Sequence, residues 1–481
     1  MLSDQIKMQP SLPHSLYRAR QIKDFEGLAA EQVGTTLYGL MKRAGDACYQ
    51  VFKHHFPEAT SVLVLTGRGN NGGDGYVFAA IAKDAGLHVQ LCQVGDDKDL
   101  TGDATQARNA WRIEQGVIDS IENADFEKPD VIVDALLGTG LLGTVRAEYQ
   151  RLIHKINLAD KPVLSIDIPS GLNSDTGEIA EVSVKADATV CFVGLKQGLF
   201  TARSAEHCGK IYFAGLGIEQ EFKALCKSTV SRVTYPDICH YLKPRSRTSH
   251  KGFFGKTLVI GGNKGMPRAA RLASEATLRC GSGLVKVLTL PENLLTILSG
   301  RPELMGEGVD LEHFDGQVIQ DWASVLTIGP GLGQDEWAQT LFDYVLASDL
   351  PTVVDADALN LLVAKPQWKE NWVLTPHPGE AATLLGCSIN QIEKDRYSAV
   401  RNLRRNFGGV VVLKGAGTLI CDGKQVYVKN VGNPGMASGG MGDVLSGIIA
   451  GLLAQGLDAL QASTLGVSIH GLVADLSCTA K

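Results

Sequence analysis

Short continuous apolar runs alternate along this chain with stretches of helical spacing. From Thr36 onward, Leu37, Leu40, Met41, Ala44, Ala47, Cys48 and Val51 line one face of a helix and predict a core face. Ser61–Thr66 contains an unbroken apolar run over 62–65 and predicts a buried strand. It runs into Gly67-Arg68-Gly69-Asn70-Asn71-Gly72-Gly73-Asp74-Gly75, after which a helix is predicted over 76–85. Further strands are predicted over 88–94, 131–135, 163–168 and 188–193, with helices between them. That is α/β wiring around a parallel sheet. Residues 1–20 carry two prolines and no clear period, which predicts partial disorder.

From about 222 to 250 the pattern breaks, with Pro236 and Pro244 inside it. The break divides the chain into domains 1–225 and 226–481, and two domains suit 481 residues. Strands return over 257–260, 324–328, 352–355, 372–374 and 410–413, each followed by a polar or glycine-rich loop. Ala269, Ala273, Ala276 and Cys280 share one helical face; such small residues suit close helix packing or close approach of a ligand. Last comes Asn433-Pro434-Gly435-Met436-Ala437-Ser438-Gly439-Gly440-Met441-Gly442-Asp443, followed by an apolar run over 444–453. This predicts a loop feeding the N-terminus of a buried helix. Free N–H groups and a positive dipole end suit a phosphate there. Asp443 stands where a base could meet a hydroxyl being phosphorylated; a tight helix-packing turn is the plainer alternative.

Ligands on parallel sheets gather at the carboxyl ends of the strands. Gly67-x-Gly69-x-x-Gly72 matches the dinucleotide fingerprint literally, but Asp74 puts a negative charge where a pyrophosphate would sit. Asn70, Asn71 and Asp74 instead make a polar pocket for hydroxyls, amides or a cation. Asp134 ends one strand and precedes Gly138-Thr139-Gly140-Leu141-Leu142-Gly143-Thr144. Asp167 ends another and precedes Pro169-Ser170-Gly171. Oxygen donors of this kind suit a hard cation, and paired carboxylates suit acid–base work. Gly255-Lys256-Thr257 fails as a P-loop, since its first glycine would fall at His250 and a strand follows. Lys414 and nearby N–H groups suit nucleotide phosphates. His377 sits between two prolines in a rigid loop, so a structural role and a substrate contact both stand open.

Composition narrows the classes. The net charge of −6 lacks the basic footprint of a nucleic-acid binder, and Lys243-Pro244-Arg245-Ser246-Arg247 reads as a solvated linker. The 10 cysteines are scattered without zinc spacing, which predicts reduced thiols. No early run has the form of a signal peptide and no stretch approaches a membrane span, so a soluble, cytoplasmic protein without nucleic-acid or membrane partners is expected.

These motifs carry a resemblance over most of the chain. The first half resembles the NAD(P)H-hydrate epimerase family through GNNGGDG at 69–75, GTGLLG at 138–143 and SIDIPSGL at 165–172. The second half is similar to the ADP- or ATP-dependent NAD(P)H-hydrate dehydratases. It shares KGFFGKTLVIGG at 251–262, GPGLG at 329–333, TPHPGE at 375–380, KGAGT at 414–418 and NPGMASGGMGDVLSG at 433–447.

The resemblance implies a Rossmann-like domain followed by a ribokinase-like one. It implies epimerisation of the R and S hydrates of NADH and NADPH (NADHX and NADPHX), then dehydration of the S form through phosphorylation and phosphate loss at the expense of ADP or ATP. Mg2+ would accompany the nucleotide, and a homo-oligomer is expected. By motif, Asn70, Asn71, Gly72, Gly73, Asp74, Gly138, Thr139, Gly140, Leu141, Leu142, Gly143, Thr144 and Asp167 would hold the hydrate in the epimerase. Asn71, Asp134 and Ser170 would bind K+. In the dehydratase, Ala270, Gly331, Gly333, His377 and Asp443 would meet the hydrate. Lys414, Gly415, Ala416, Gly417, Thr418 and Gly442 would hold the nucleotide. Asp443 would be the base there, and Asp167 would act near the reacting carbon in the epimerase. Relatives of this type continue past the helix around His470 with a further glycine-containing segment and helix, on which stability or nucleotide closure would depend; this sequence ends at Lys481. The alternative is a ribokinase-like small-molecule kinase fused to a non-catalytic Rossmann-like binding module.

Overall fold

The computed structural model describes residues 6–8, 11–96, 100–140, 143–179 and 181–479. The chain forms two compact units, Met1–Ser231 and Arg232–Lys481. Both are α/β, the class expected.

In the first unit the strand order is Ile6–Met8, Lys210–Ala214, Ala188–Phe192, Val163–Ile166, Val131–Ala135, Ser61–Thr66, His88–Gln93 and Asp119–Ser120. Among the described residues of this sheet, only the edge pairing of Ile6–Met8 with Lys210–Ala214 is antiparallel. Alternate residues of one strand feed two cores. Val62 and Val64 pack with Met41, Ala44, Phe52 and Phe78, while Leu63 and Leu65 pack with Leu152, Ile153 and Ile156. A sheet covered on both faces explains why its strands read as continuous apolar runs. The expected amphipathic helix is Leu37–His55. Thr36 caps it by accepting from Gly39 N–H at 3.0 Å, and Lys53, His54 and His55 occupy its last turn.

The chain moves outward from Ser61–Thr66 in one direction, then returns to build the other side from Val131–Ala135. Ligands bind at such a reversal. Here the two loops nearly touch, since a Cβ at Gly67 would lie 1.8 Å from Leu136 O.

Three expectations shift. The helix predicted over 76–85 is Asn70–Asp84, so the asparagines and glycines form its first turns. Packing overrides glycine's weak helix propensity: a Cβ at Gly73 would lie 2.6 Å from Met41 Cε. The strand predicted over 163–168 stops at Ile166 because Asp167 leaves it with φ +64°. Within 1–20, Ser15–Tyr17 is a strand paired with Leu195–Lys196, and a helix Ala19–Gln32 follows. Long-range pairing supplies order there that local periodicity does not announce.

The second unit repeats the plan. Seven parallel strands run in the order Met305–Gly308, Leu284–Thr289, Lys256–Ile260, Val325–Ile328, Thr352–Val354, Trp372–Leu374 and Val410–Leu413; Thr418–Cys421 and Val426–Lys429 extend them antiparallel. The reversal lies between Lys256–Ile260 and Val325–Ile328. A Cβ at Gly261 would lie 2.1 Å from Pro330 O, so glycine again lets two loops meet at the reversal. Helix Met441–Ala454 lies against helix Pro267–Arg279, with Gly447 so close that a Cβ would fall 2.1 Å from Ala273 O. The small face at Ala273 and Ala276 therefore serves helix packing.

Candidate active sites

In the first unit, helix Asn70–Asp84 starts at the reversal with no side chain capping it. Asn71 is buried, and its Nδ2 donates to Leu137 O at 3.2 Å. Its Oδ1 is buried with no hydrogen-bond partner. Beside it, Leu137 N–H donates to Ser170 Oγ at 2.8 Å, and Ser170 Oγ–H reaches Asp134 Oδ1 at 2.5 Å. Asp134 is fully buried and also accepts from Ser170 N–H at 2.8 Å, Ser165 Oγ–H at 2.9 Å and Leu136 N–H at 3.3 Å. Burial raises the Asp134 carboxyl, and these hydrogen bonds oppose it only in part.

Gly138 lies against Asn71: a Cβ on it would be 3.1 Å from Asn71 Cβ. Thr139 is half-buried, whereas Gly140, Gly143 and Thr144 are exposed. Leu141 and Leu142 fall outside the described residues. Gly72 and Gly73 are buried spacers, and Asn70 is exposed at the helix start.

Asp74 and Asp167 meet two residues that motif reading missed. Lys196 Nζ bonds Asp167 Oδ1, with side chains 3% and 14% exposed. Glu26, from helix Ala19–Gln32, faces the same pair. Burial, then repulsion from Asp167 and Glu26, pushes the Asp74 carboxyl well up. Burial likewise raises Glu26, against the pull of Lys196. A lysine in VGLKQGL carries no motif signal by itself, and Glu26 is distant in sequence from every glycine loop.

In the second unit, Gly440 caps helix Met441–Ala454 in the left-handed region at φ +90°, with no side-chain cap, and Asp443 is the third helical residue. Burial first, then repulsion from Asp355, raises the Asp443 carboxyl to about 6. Asp443 takes no hydrogen bond or ion pair among the described residues. Lys414 is committed elsewhere: Nζ donates to Asp355 Oδ1 at 2.9 Å and stands 3.8 Å from Glu380 Oε2. Burial alone would lower the Lys414 ammonium; the Asp355 and Glu380 charges outweigh it and hold it above its usual value. Ser446 Oγ–H donates to the other oxygen of Asp355. For Asp355 burial is the largest influence and acts upward; Lys414 and these hydrogen bonds reverse it and keep the carboxyl below its usual value. Gly442 packs over this cluster, since a Cβ there would be 3.2 Å from Lys414 Nζ. Gly415 and Ala416 are exposed, with Gly417 and Thr418 half-buried.

His377 caps helix Pro378–Leu385. Its Nδ1 accepts from Gly379 N–H at 2.9 Å and Glu380 N–H at 3.3 Å, while its own N–H donates to Glu380 Oε2 at 2.8 Å. The ring is still 56% exposed, so capping leaves a face free. Gly331 and Gly333 take φ +59° and +74°, and Gly333 N–H donates to Asp357 Oδ2 at 2.9 Å. Ala270 is buried against Val287 and Ile297. Asp475, on helix Ala459–Thr479, accepts from Gly432 N–H at 2.9 Å and Asn433 Nδ2 at 3.1 Å, tying down the start of the glycine loop. Asp355, Ser446 and Asp475 were also missed. Asp355 was within reach, because it follows a strand end just as Asp167 does.

Residues 37–198 match the family model of the YjeF-related protein N-terminus, and residues 257–481 match that of NAD(P)H-hydrate dehydratase. A bifunctional NAD(P)H-hydrate repair enzyme of Coxiella burnetii is 46% identical over 461 residues, spanning 96% of this chain and 94% of the relative. One from Escherichia coli is 44% identical, spanning 99% of this chain and 92% of the relative. Among solved structures, an ADP/ATP-dependent NAD(P)H-hydrate dehydratase from Bacillus subtilis is 31% identical with a TM-score of 0.46, covering 51% of this chain and 89% of that one.

Proposed function

Because the chain belongs to the family of bifunctional NAD(P)H-hydrate repair enzymes, we propose that its two reversal-point sites act in turn on one damaged cofactor. The enzyme has two activities. The Rossmann-like first unit epimerises the R and S hydrates, and the ribokinase-like second unit dehydrates the S form using ADP or ATP. A kinase fused to a non-catalytic module is not favoured.

Water adds to the reduced nicotinamide so that the hydroxyl sits on a carbon next to the ring nitrogen, whose lone pair stabilises positive charge there. The hydroxyl on that carbon also lets the carbon–nitrogen bond open to a carbonyl as the hydroxyl proton leaves, and reclosure can set either configuration. In the first unit, Asn70, Asn71, Gly72, Gly73, Asp74 and the 138–144 loop hold the hydrate, and Asp167 exchanges the hydroxyl proton. The orphaned Asn71 Oδ1, beside Ser170 Oγ, Leu137 O and the Asp134 carboxylate, fits K+: a large hard cation satisfies that buried oxygen. K+ would supply positive charge beside the hydrate.

In the second unit Asp443 takes the hydroxyl proton as the hydroxyl oxygen attacks the terminal phosphoryl group of the nucleotide. Phosphate then leaves with its bonding electrons, driven by the ring nitrogen, and loss of a proton from the adjacent carbon restores the double bond. The uncapped N–H groups at Met441 and Gly442, with Lys414 through Thr418, hold the phosphates. Gly331, Gly333, Ala270 and His377 line the hydrate side. Mg2+ would come with the nucleotide, whose phosphates would supply its ligands; among the described residues no group of three acidic, His or Cys side chains is placed to hold it alone.

The raised, unpaired Asp443 at an uncapped helix N-terminus carries this reading. The reading includes a cytoplasmic, homo-oligomeric enzyme; the ten free cysteines suit a reducing compartment. No described helix is long and apolar enough to cross a membrane. The test incubates the hydrates with ADP or ATP, with and without potassium, and follows absorbance of the reduced nicotinamide. Failure to regain NADH with either nucleotide sinks the dehydratase assignment of these residues. Light scattering on the purified chain tests the assembly.

A further inference from the structure

Lys196 is a buried lysine that no motif explains. Its Nζ donates to Asp167 Oδ1 and, at 3.1 Å, to Phe192 O. Phe192 N–H also donates to Asp167 Oδ1, at 3.3 Å. Both bonds to Asp167 therefore fall on one oxygen. Among the described residues, Oδ2 accepts no hydrogen bond. The backbone is strained on both sides of the pair, since Asp167 and Val193 take φ +64° and +62° although neither is glycine. Such strain is costly and persists only where the surroundings over-determine it. Burying an ammonium to make a mere structural tie is also expensive, since a well-packed apolar pair does as well.

We propose that Lys196 is a positioning residue of the epimerase, gripping Oδ1 of Asp167 so that Oδ2 alone is presented to the hydrate. The proposal rests on the epimerase reading of this site. The groups that face Lys196 are Asp167, Cys191 and Glu26, with Asp74 beyond them. Burial opposes the Lys196 ammonium, but these acidic neighbours hold it above its usual value, so it stays charged across the working range. Of these acids it is Asp167 that Lys196 bonds directly. In the step served, Oδ2 takes the hydroxyl proton as the ring carbon–nitrogen bond opens to a carbonyl. The C–N electrons rest on the nitrogen, conjugated with the ring carboxamide. Reclosure on the other face returns the proton to oxygen.

The test uses the full chain and purified R hydrate, following R-to-S conversion by chromatography. Lys196→Met is expected to lower kcat about 100-fold, the scale of lost acid–base catalysis, with KM within about threefold. Lys196→Arg, which keeps a cation on Oδ1, is expected to recover to within about tenfold of wild type but stay below it. Dehydratase turnover on the S hydrate serves as the internal control and stays unchanged. Wild-type kcat in Lys196→Met overturns the proposal, as does a loss confined to KM, or an equally folded Lys196→Arg no better than Met. Should Lys196→Met lose its circular dichroism signature, Lys196→Arg decides alone: lowered kcat at constant KM supports the proposal, and wild-type kcat or a KM-only loss overturns it. A wild-type chain that does not interconvert the epimers fails the epimerase reading itself, before any variant is compared.

Discussion

Replacing Asp443 by Asn should make the second unit inactive and more stable at once. Asn keeps the shape and removes the charge. The structure raises the Asp443 carboxyl from 3.8 to about 6, chiefly by burial. A raised carboxylate binds its proton more tightly folded than unfolded, so it is the charged form that costs stability. That cost is absent below about pH 4, where both states are protonated, and fully present above about pH 6–7. Two pKa units correspond to about 3 kcal/mol; discounting for partial exposure leaves on the order of 1–2 kcal/mol. For a unit of this size that is about 2–8 °C in Tm. Differential scanning calorimetry of the nucleotide-free chain should show the Asn variant's second-unit transition higher at about pH 7.5, with the gap closing towards about pH 4. Dehydratase kcat should fall about 10²–10⁴-fold, while nucleotide affinity by titration calorimetry changes little. An Asn variant no more stable than wild type at neutral pH, or one whose advantage persists unchanged in acid, would refute the argument that Asp443 is a desolvated, unpaired base.

Asn71→Ala removes the orphaned oxygen beside Ser170; R-to-S rates compared in potassium and choline salts should lose their potassium response, and a response as large as in wild type counts against the cation site. Asp475→Ala frees Gly432 and Asn433, so the nucleotide KM should rise several-fold while epimerase rates hold; limited proteolysis should cut sooner within 432–440, and an unchanged KM and cleavage pattern would remove the tether from the account. Asp355→Asn removes a charge that raises Asp443 and releases Lys414 from its 2.9 Å partner. The acid limb of the dehydratase pH–rate profile should then move below about 6, and a limb that stays or moves upward excludes the coupling.

The sheets were legible because strands buried on both faces read as continuous apolar runs, and every loop was placed at a strand end by the same logic. The glycine loop before Asp443 was legible as a helix start. The start of helix Asn70–Asp84 was not, because glycine propensity argues against helix and only contact with Met41 and the Gly67 loop enforces it. Lys196, Glu26 and Asp475 escaped for a different reason. Each lies outside the glycine motifs and reaches its site through tertiary packing: a two-residue strand, an N-terminal helix and the last helix. Spacing along a chain holds no record of such meetings. The His377 loop looked like a candidate ligand contact, and its first duty proves to be capping a helix, a role that the spacing to Glu380 already allowed.

The two units use one device for opposite ends. Each sets an aspartate just beyond a strand end and gives it a buried lysine. In the first, Lys196 bonds one oxygen of Asp167 and leaves the other without a hydrogen bond among the described residues, so the paired aspartate is itself the proposed working group. In the second, Lys414 and Ser446 hold Asp355 by both oxygens, and Asp355 is buried behind them. What that pairing achieves is negative. A free Lys414 would pair with Asp443, favour its charged form and weaken it as a base. Held by Asp355 and Glu380 instead, the lysine can face phosphate while the Asp443 carboxyl stays near 6. A base that must remove a hydroxyl proton near neutral pH needs that separation. On the proposed dehydratase reading, the ion pair behind the glycine loop keeps Lys414 off Asp443, so that a raised carboxylate and a cation can stand in one site.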